Sequence, residues 1–180
     1  MSEKITYNNG MFHIIPAKLL RKTPDVTFNN VPVLPGLDAI DYVLHDANAK
    51  SPAIAGRENE TFWYMHTHQE DNLLVITGTR LVELYTKENG KVETFEVTKD
   101  YVKHNGKVIY EGMCMFGWPK YVFHRVNSGV DGSNSINFAV YDKDGCDLKT
   151  NFNIYSLNIE TGEHTVQREG FRDQDFNKKS

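Results

Sequence analysis

Three histidines and a short acidic and amide run carry the clearest chemical signal in the chain. His66 and His68 stand one residue apart in Trp63-Tyr64-Met65-His66-Thr67-His68, and Gln69-Glu70-Asp71-Asn72 follows directly. In an extended segment side chains alternate with period two, so both imidazoles and Tyr64 fall on one face. Glu70 joins that face if the strand continues, and Asp71 and Asn72 are further oxygen donors within reach. His124 lies in a second segment, Trp118-Pro119-Lys120-Tyr121-Val122-Phe123-His124-Arg125-Val126-Asn127. Three imidazoles and one carboxylate suit a borderline divalent transition metal: Fe(II), Mn(II), Ni(II), Co(II), Cu(II) or Zn(II). Such a set leaves positions open to water or substrate, which supports Lewis-acid polarisation or activation of a bound oxygen species. A lone His-x-His more often decorates an exposed strand. The acid, the apolar strand and the Gly behind this pair tip the balance toward binding.

Strands must position these residues. From about residue 31 onward Val, Ile, Tyr, Phe and Thr recur in short runs separated by turn residues. The runs predict strands over 39–44, 61–68, 73–77, 80–86, 92–98, 107–111, 122–126, 135–141, 152–159 and 164–167. The strongest local signal is a hairpin, because Asn89-Gly90 between Leu81–Tyr85 and Val92–Val97 supplies the positive φ angles of a tight turn. Helical signal is weak, and Ile15–Lys22 is expected to form a short helix or an extended arm. Many short strands with regular turns predict an all-β sandwich or barrel.

A length of 180 residues fits one domain able to bury a core without disulfides. Hydrophobic residues at 39% and charged residues at 24% are ordinary for a globular protein. A net charge of -4, with basic residues scattered, argues against nucleic-acid binding. No stretch is apolar for long enough to span a membrane as a helix. No secretory pattern opens the chain, so Cys114 and Cys146 are expected as reduced thiols in a cytoplasm.

The two histidine segments together resemble the two motifs of the cupin superfamily (the RmlC-like jelly roll). In the first, His66, His68 and the closing Gly78 match, while Glu60 stands where the motif has Gly. Counting back from Gly78, the motif's Glu position falls on Asp71; counting forward from His68 gives Asn72, and Glu70 remains a third option. In the second, Pro119 and His124 keep the motif spacing, Tyr121 replaces its Gly, and Gly112 and Asn127 are each displaced by one residue. Tyr121 must therefore take a turn conformation that suits Gly better.

The resemblance implies an all-β, double-stranded β-helix (jelly-roll) cupin barrel with a short N-terminal arm and little helix. Its expected boundaries are an arm over 1–30, a cupin domain over 31–168 and a polar tail over 169–180. It implies His66, His68, Asp71 and His124 as metal ligands, and a homodimer. Tyr64 and Arg80 are expected in the substrate pocket, Arg80 because a guanidinium binds carboxylate or phosphate in bidentate fashion. The implied activity is that of a metal-dependent enzyme on a small polar molecule, of dioxygenase, isomerase or lyase type. The alternatives are a metal-free sugar-nucleotide epimerase using a His base and a Tyr acid, and a non-catalytic ligand-binding barrel.

Overall fold

Residues 4–7, 10–147 and 149–173 are described in the computed structural model. Among them, β-branched and aromatic runs form β1 (Ile5–Tyr7), β2 (Phe12–Pro16), β3 (Lys18–Thr23), β4 (Val26–Asn30), β5 (Leu37–His45), β6 (Lys50–Ser51), β7 (Trp63–Met65) and β8 (Gln69–Tyr85). β9 (Glu93–Val97), β10 (Tyr101–His104), β11 (Lys107–Glu111), β12 (Cys114–Trp118), β13 (Phe123–Tyr141), β14 (Ile154–Leu157) and β15 (His164–Arg168) complete the set. No α-helix occurs among the described residues; a 3-10 turn spans Gly170–Asp173. Every pairing is antiparallel, and the main sheet runs β1-β2-β12-β8-β13-β7-β14-β15 as an open path that does not close into a ring.

Two long strands organise this all-β sandwich. β8 pairs β12 through Asp71–Leu73 and β9 through Arg80–Leu84. β13 pairs β7 and β6 near its start and β5 along its second half. Both strands therefore pass through both layers, and both are bent between their halves. Gly78 marks the bend of β8, with φ of 73°, and a Cβ there would lie 2.1 Å from Gly132 O on β13. Only Gly combines that backbone angle with that approach. The expected pairs of strands over 73–77 and 80–86, and over 122–126 and 135–141, are thus single bent strands.

The core lies between the layers, where Phe12, Ile14, Val82, Leu84, Val97 and Phe116 are buried. β2 sits inside the main sheet between β1 and β12. The segment expected as an arm therefore supplies a core strand, β2, and an edge strand, β1, and only β3 and β4 stand apart as a separate hairpin. Ile15–Lys22 forms strand on both sides of Ala17, not helix. The Asn89-Gly90 hairpin pairs Leu84 with Glu93 and Arg80 with Val97. Cys114 and Cys146 are both free thiols. Residues 174–180 of the expected tail lie outside the described residues.

Candidate metal centre

The first histidine segment does not stay extended. β7 ends at Met65, the chain bends at Thr67 and His68, and β8 begins at Gln69. The expected strand over 61–68 is thus cut to three residues, and period two does not carry from His66 to His68. His66 turns inward, 5% exposed. His68 lies near the surface, its side chain 41% exposed and its Nδ1 3.4 Å from Asp142 Oδ2. Asp142 is also held by Lys120 Nζ at 2.7 Å, which draws it toward the surface.

The three oxygen candidates separate by strand alternation. Asp71 is buried facing His66 and His124. Glu70 points to the other face, where Lys4 Nζ lies at 2.8 Å. Asn72 is buried on that face too, its Oδ1 2.7 Å from His13 Nε2. His124, the second residue of β13, is the register partner of Tyr64, while Trp118 at the end of β12 is the register partner of Asp71. Cross-strand pairing therefore gathers the two motif segments at one end of the sandwich.

The ligand atoms of His66, Asp71 and His124 all lie within 4.8 Å of one another. His66 Nε2 is 3.3 Å and His124 Nε2 3.8 Å from the same oxygen, Asp71 Oδ2. The other ring nitrogens are engaged: His66 Nδ1 donates to Asn151 O at 2.5 Å and His124 Nδ1 to Val122 O at 3.0 Å. Committing both Nδ1–H groups to carbonyls leaves both Nε2 lone pairs facing a carboxylate. Lone pairs converging on an anion repel unless a proton or a cation sits among them. Asp71 Oδ1 meanwhile accepts from Gln69 Nε2 at 2.5 Å and Asn137 Nδ2 at 2.8 Å, so Oδ2 alone is turned to the imidazoles. This buried cluster could hold a metal ion.

Electrostatics agree with an exchangeable cation at that point. Burial alone would lower the His66 pKa, but the Asp71 charge outweighs it and raises the pKa. Burial works to raise the Asp71 pKa, yet His66 and His124 bring it below the usual carboxylate range. His124 is pushed down to about 4 by burial and by the charge of His66. Without a metal, a proton on His66 would answer the Asp71 charge. A metal would displace it, because ligation needs neutral imidazole and ionised carboxylate.

Around the cluster lies a cavity of about 430 Å³, at the small end of the roughly 300–1,000 Å³ typical of ligand pockets. Tyr64 and Arg80 both line it, with Asp41, His45, Ser135, Asn137, Trp118 and Phe152 among the other walls. Aromatic rings flank the imidazoles: Trp118 lies 5.0 Å from His124 and Phe152 5.2 Å from His66 between centroids. The second motif's turn follows the expectation for Tyr121, which takes φ of 66° and donates its backbone N–H to His66 O at 2.8 Å.

The supporting amides are absent from the sequence reading. Gln69 had a signal, since it stands two residues before Asp71 on the same strand face. Asn137 had one too, as the one amide inside the apolar run Ile136-Asn137-Phe138-Ala139-Val140. Asn151 had none, because it reaches the site from a loop 85 residues after His66. Among the described residues no helix is long and apolar enough to cross a membrane. No family model, curated protein or solved structure matches the chain significantly, so its function is to be read from the chemistry of this cavity.

Proposed function

We propose that the protein is a metal-dependent cupin-type enzyme acting on a small polar molecule, with His66, Asp71 and His124 as the protein ligands. The convergence of two Nε2 lone pairs on one Asp71 oxygen, with both Nδ1–H groups already committed, carries this reading. Two imidazoles and one carboxylate with open positions form the donor set of non-haem Fe(II) oxygenases. Bound there, a divalent metal would supply Lewis-acid polarisation or oxygen activation. The chain's own residues would do the rest. Asn151 O and Val122 O fix the imidazole tautomers, Gln69 and Asn137 hold Asp71, and Trp118 and Phe152 keep water away from the ligands. His68 stands outside the ligand set in this proposal. The jelly-roll relationship rests on the motif residues around His66 and His124. A homodimer would have exposed apolar residues to cover on β5, where Ile40, Tyr42 and Leu44 are each more than 60% exposed.

A metal-free reading keeps one observation in its favour. Tyr64 lies 6.1 Å from His66 and 5.9 Å from His124 between ring centroids, with Asp71 behind His66. That grouping supplies a His base and a Tyr acid of the epimerase kind. Anaerobic loading with Fe(II), then exposure to oxygen with pooled small polar molecules, separates the two. Oxygen uptake or turnover that needs both metal and His124 supports the metal enzyme. Turnover of nucleotide sugars by metal-free protein, lost in Tyr64→Phe, supports the acid–base enzyme and contradicts the metal role.

A further inference from the structure

The cavity has a second polar end that the metal ligands do not use. Arg80 is 1% exposed and lines the cavity wall. Its Nη2 donates to Ser135 Oγ at 2.9 Å, Val43 O at 3.0 Å and, at 3.4 Å, Ser133 O. Its Nε–H is buried with no acceptor. No carboxylate among the described residues pairs with it, and burial brings its pKa down only to about 10, so it remains charged at neutral pH. A buried cation lacking both a counter-ion and a full set of acceptors is costly to keep.

Its neighbours share the deficit. His45 Nδ1 and Ser133 Oγ, on register partners of β5 and β13, are buried without partners. His45 is pushed down to about 4 by burial and by Arg80, so it is neutral and adds no charge of its own. Trp118 Nε1, on the ring beside His124, is likewise buried and unbonded. Each such side-chain atom among the described residues thus belongs to a cavity-lining residue or, for Ser133, to a residue touching Arg80. Buried polar groups are normally satisfied, so unsatisfied polar atoms gathered on the residues around one cavity point to an occupant.

Strand geometry sets the size of that occupant. Arg80 is held by Ser135 Oγ and Asp71 by Asn137 Nδ2. These two β13 residues are two positions apart on one face, a rise of about 7 Å. That is the span of a molecule with a few carbon atoms. The other acid on the wall, Asp41, stands at the middle of β5 in register with Asn137, about 7 Å at strand rise from Val43, whose carbonyl Arg80 holds. It makes no ion pair with Arg80.

We propose that the cavity takes a small carboxylic acid, its carboxylate received by Arg80 and its far oxygen donor directed at His66, Asp71 and His124. This rests on the three-ligand metal site proposed above. A guanidinium offers paired N–H donors matched to a carboxylate. A purely structural Arg80, tying β5, β8 and β13 together, would account for the Nη2 bonds but not for the idle Nε–H beside His45 and Ser133.

The test is calorimetric titration of metal-loaded and metal-stripped protein with succinate, glutarate and adipate, each against its diamide. Metal content is measured on the same samples. At least one acid should bind about tenfold or more tightly than its diamide. Arg80→Gln should erase that preference without changing metal content, and Arg80→Lys should retain part of it. The acid–amide comparison needs no variant, so it stands even if Arg80→Gln fails to fold. Equal binding of acids and diamides, or an acid preference that survives in folded Arg80→Gln, overturns the proposal. Acid binding that depends on Arg80 in a protein that takes up no metal would keep the carboxylate site and remove the metal site. Metal uptake without any acid preference would do the reverse.

Discussion

Two buried carboxylates sit beside histidines in this protein, and they differ in what their remaining lone pairs face. Glu93, 1% exposed, is surrounded by donors: Asn105 Nδ2 at 2.8 Å, His104 Nε2 at 2.7 Å, Lys91 Nζ at 3.0 Å and Asn89 Nδ2 at 3.2 Å. It closes the Asn89-Gly90 hairpin and lines no part of the cavity. Asp71 is nearly as buried, but its donors all fall on Oδ1, and Oδ2 is turned to two imidazole lone pairs at the cavity wall. The same residue types give a saturated structural knot in one place and, in the other, a carboxylate oxygen that could still take a cation. Proximity of His and carboxylate therefore does not by itself suggest a metal site. The direction of the lone pairs left over is what separates the two clusters.

The largest expected effect separates the two clusters outright. Asp71→Asn should reduce metal affinity by more than about 100-fold, whereas Glu93→Gln should leave it unchanged; equilibrium dialysis with Zn(II) or Fe(II) reads both. Acidification sharpens the contrast. Because the His66 pKa is raised, protons compete for its Nε2 up to a pH above the ordinary 6.5. Metal affinity should rise with pH through that range, with proton release on binding detectable in buffers of different ionisation enthalpy.

The next effect is on stability and belongs to Glu93. Burial would raise its pKa, but the hydrogen bonds from Asn105, His104, Lys91 and Asn89 hold it at about 2, below its ordinary 4.5. A carboxyl depressed on folding stabilises the protein above the unfolded pKa and loses that contribution as pH falls toward the folded one. Glu93→Gln should cost about 2 kcal/mol at neutral pH and flatten the acid limb between pH 4.5 and 2 in denaturant titrations. An Asn137→Ala change should weaken metal binding by about tenfold through loss of the Asp71 support, with smaller effect on stability.

At the small end are two surface changes. His68→Ala should retain full metal content and shift stability by less than about 0.5 kcal/mol, since its ion pair with Asp142 is half exposed. Loss of metal in that variant would restore it to the ligand set. Tyr121→Gly should stabilise by about 1 kcal/mol by removing a left-handed backbone strain, readable as a rise in melting temperature.

Much of this was legible in the residues, and the exceptions have physical causes. Alternating β-branched runs and the Asn89-Gly90 turn showed the all-β class and the β8–β9 hairpin, because both depend on local pattern. The bend at Gly78 is not legible as a bend. A Gly between two strand runs reads as a chain break unless the close backbone approach is known. Of the expected ligands, His66, Asp71 and His124 come together, whereas His68, placed with them by a strand periodicity that ends at Met65, stands apart. What cuts the strand short is the Tyr121 turn bonding to His66 O and the Asn151 loop folding over His66, both distant in sequence. Phe12 and Ile14 were missed as core because a short apolar run before a charged hairpin carries no period that distinguishes it from an arm.

The most direct test of the metal site is elemental mass spectrometry on tag-free protein. Parent, His66→Ala, His124→Ala and the control His104→Ala would be purified in parallel, with reconstitution and a circular-dichroism check of folding. The geometry predicts near-stoichiometric metal in the parent and in His104→Ala, and its loss in the folded His66 and His124 variants. No metal in the reconstituted parent, or equal metal in all four proteins, would contradict it.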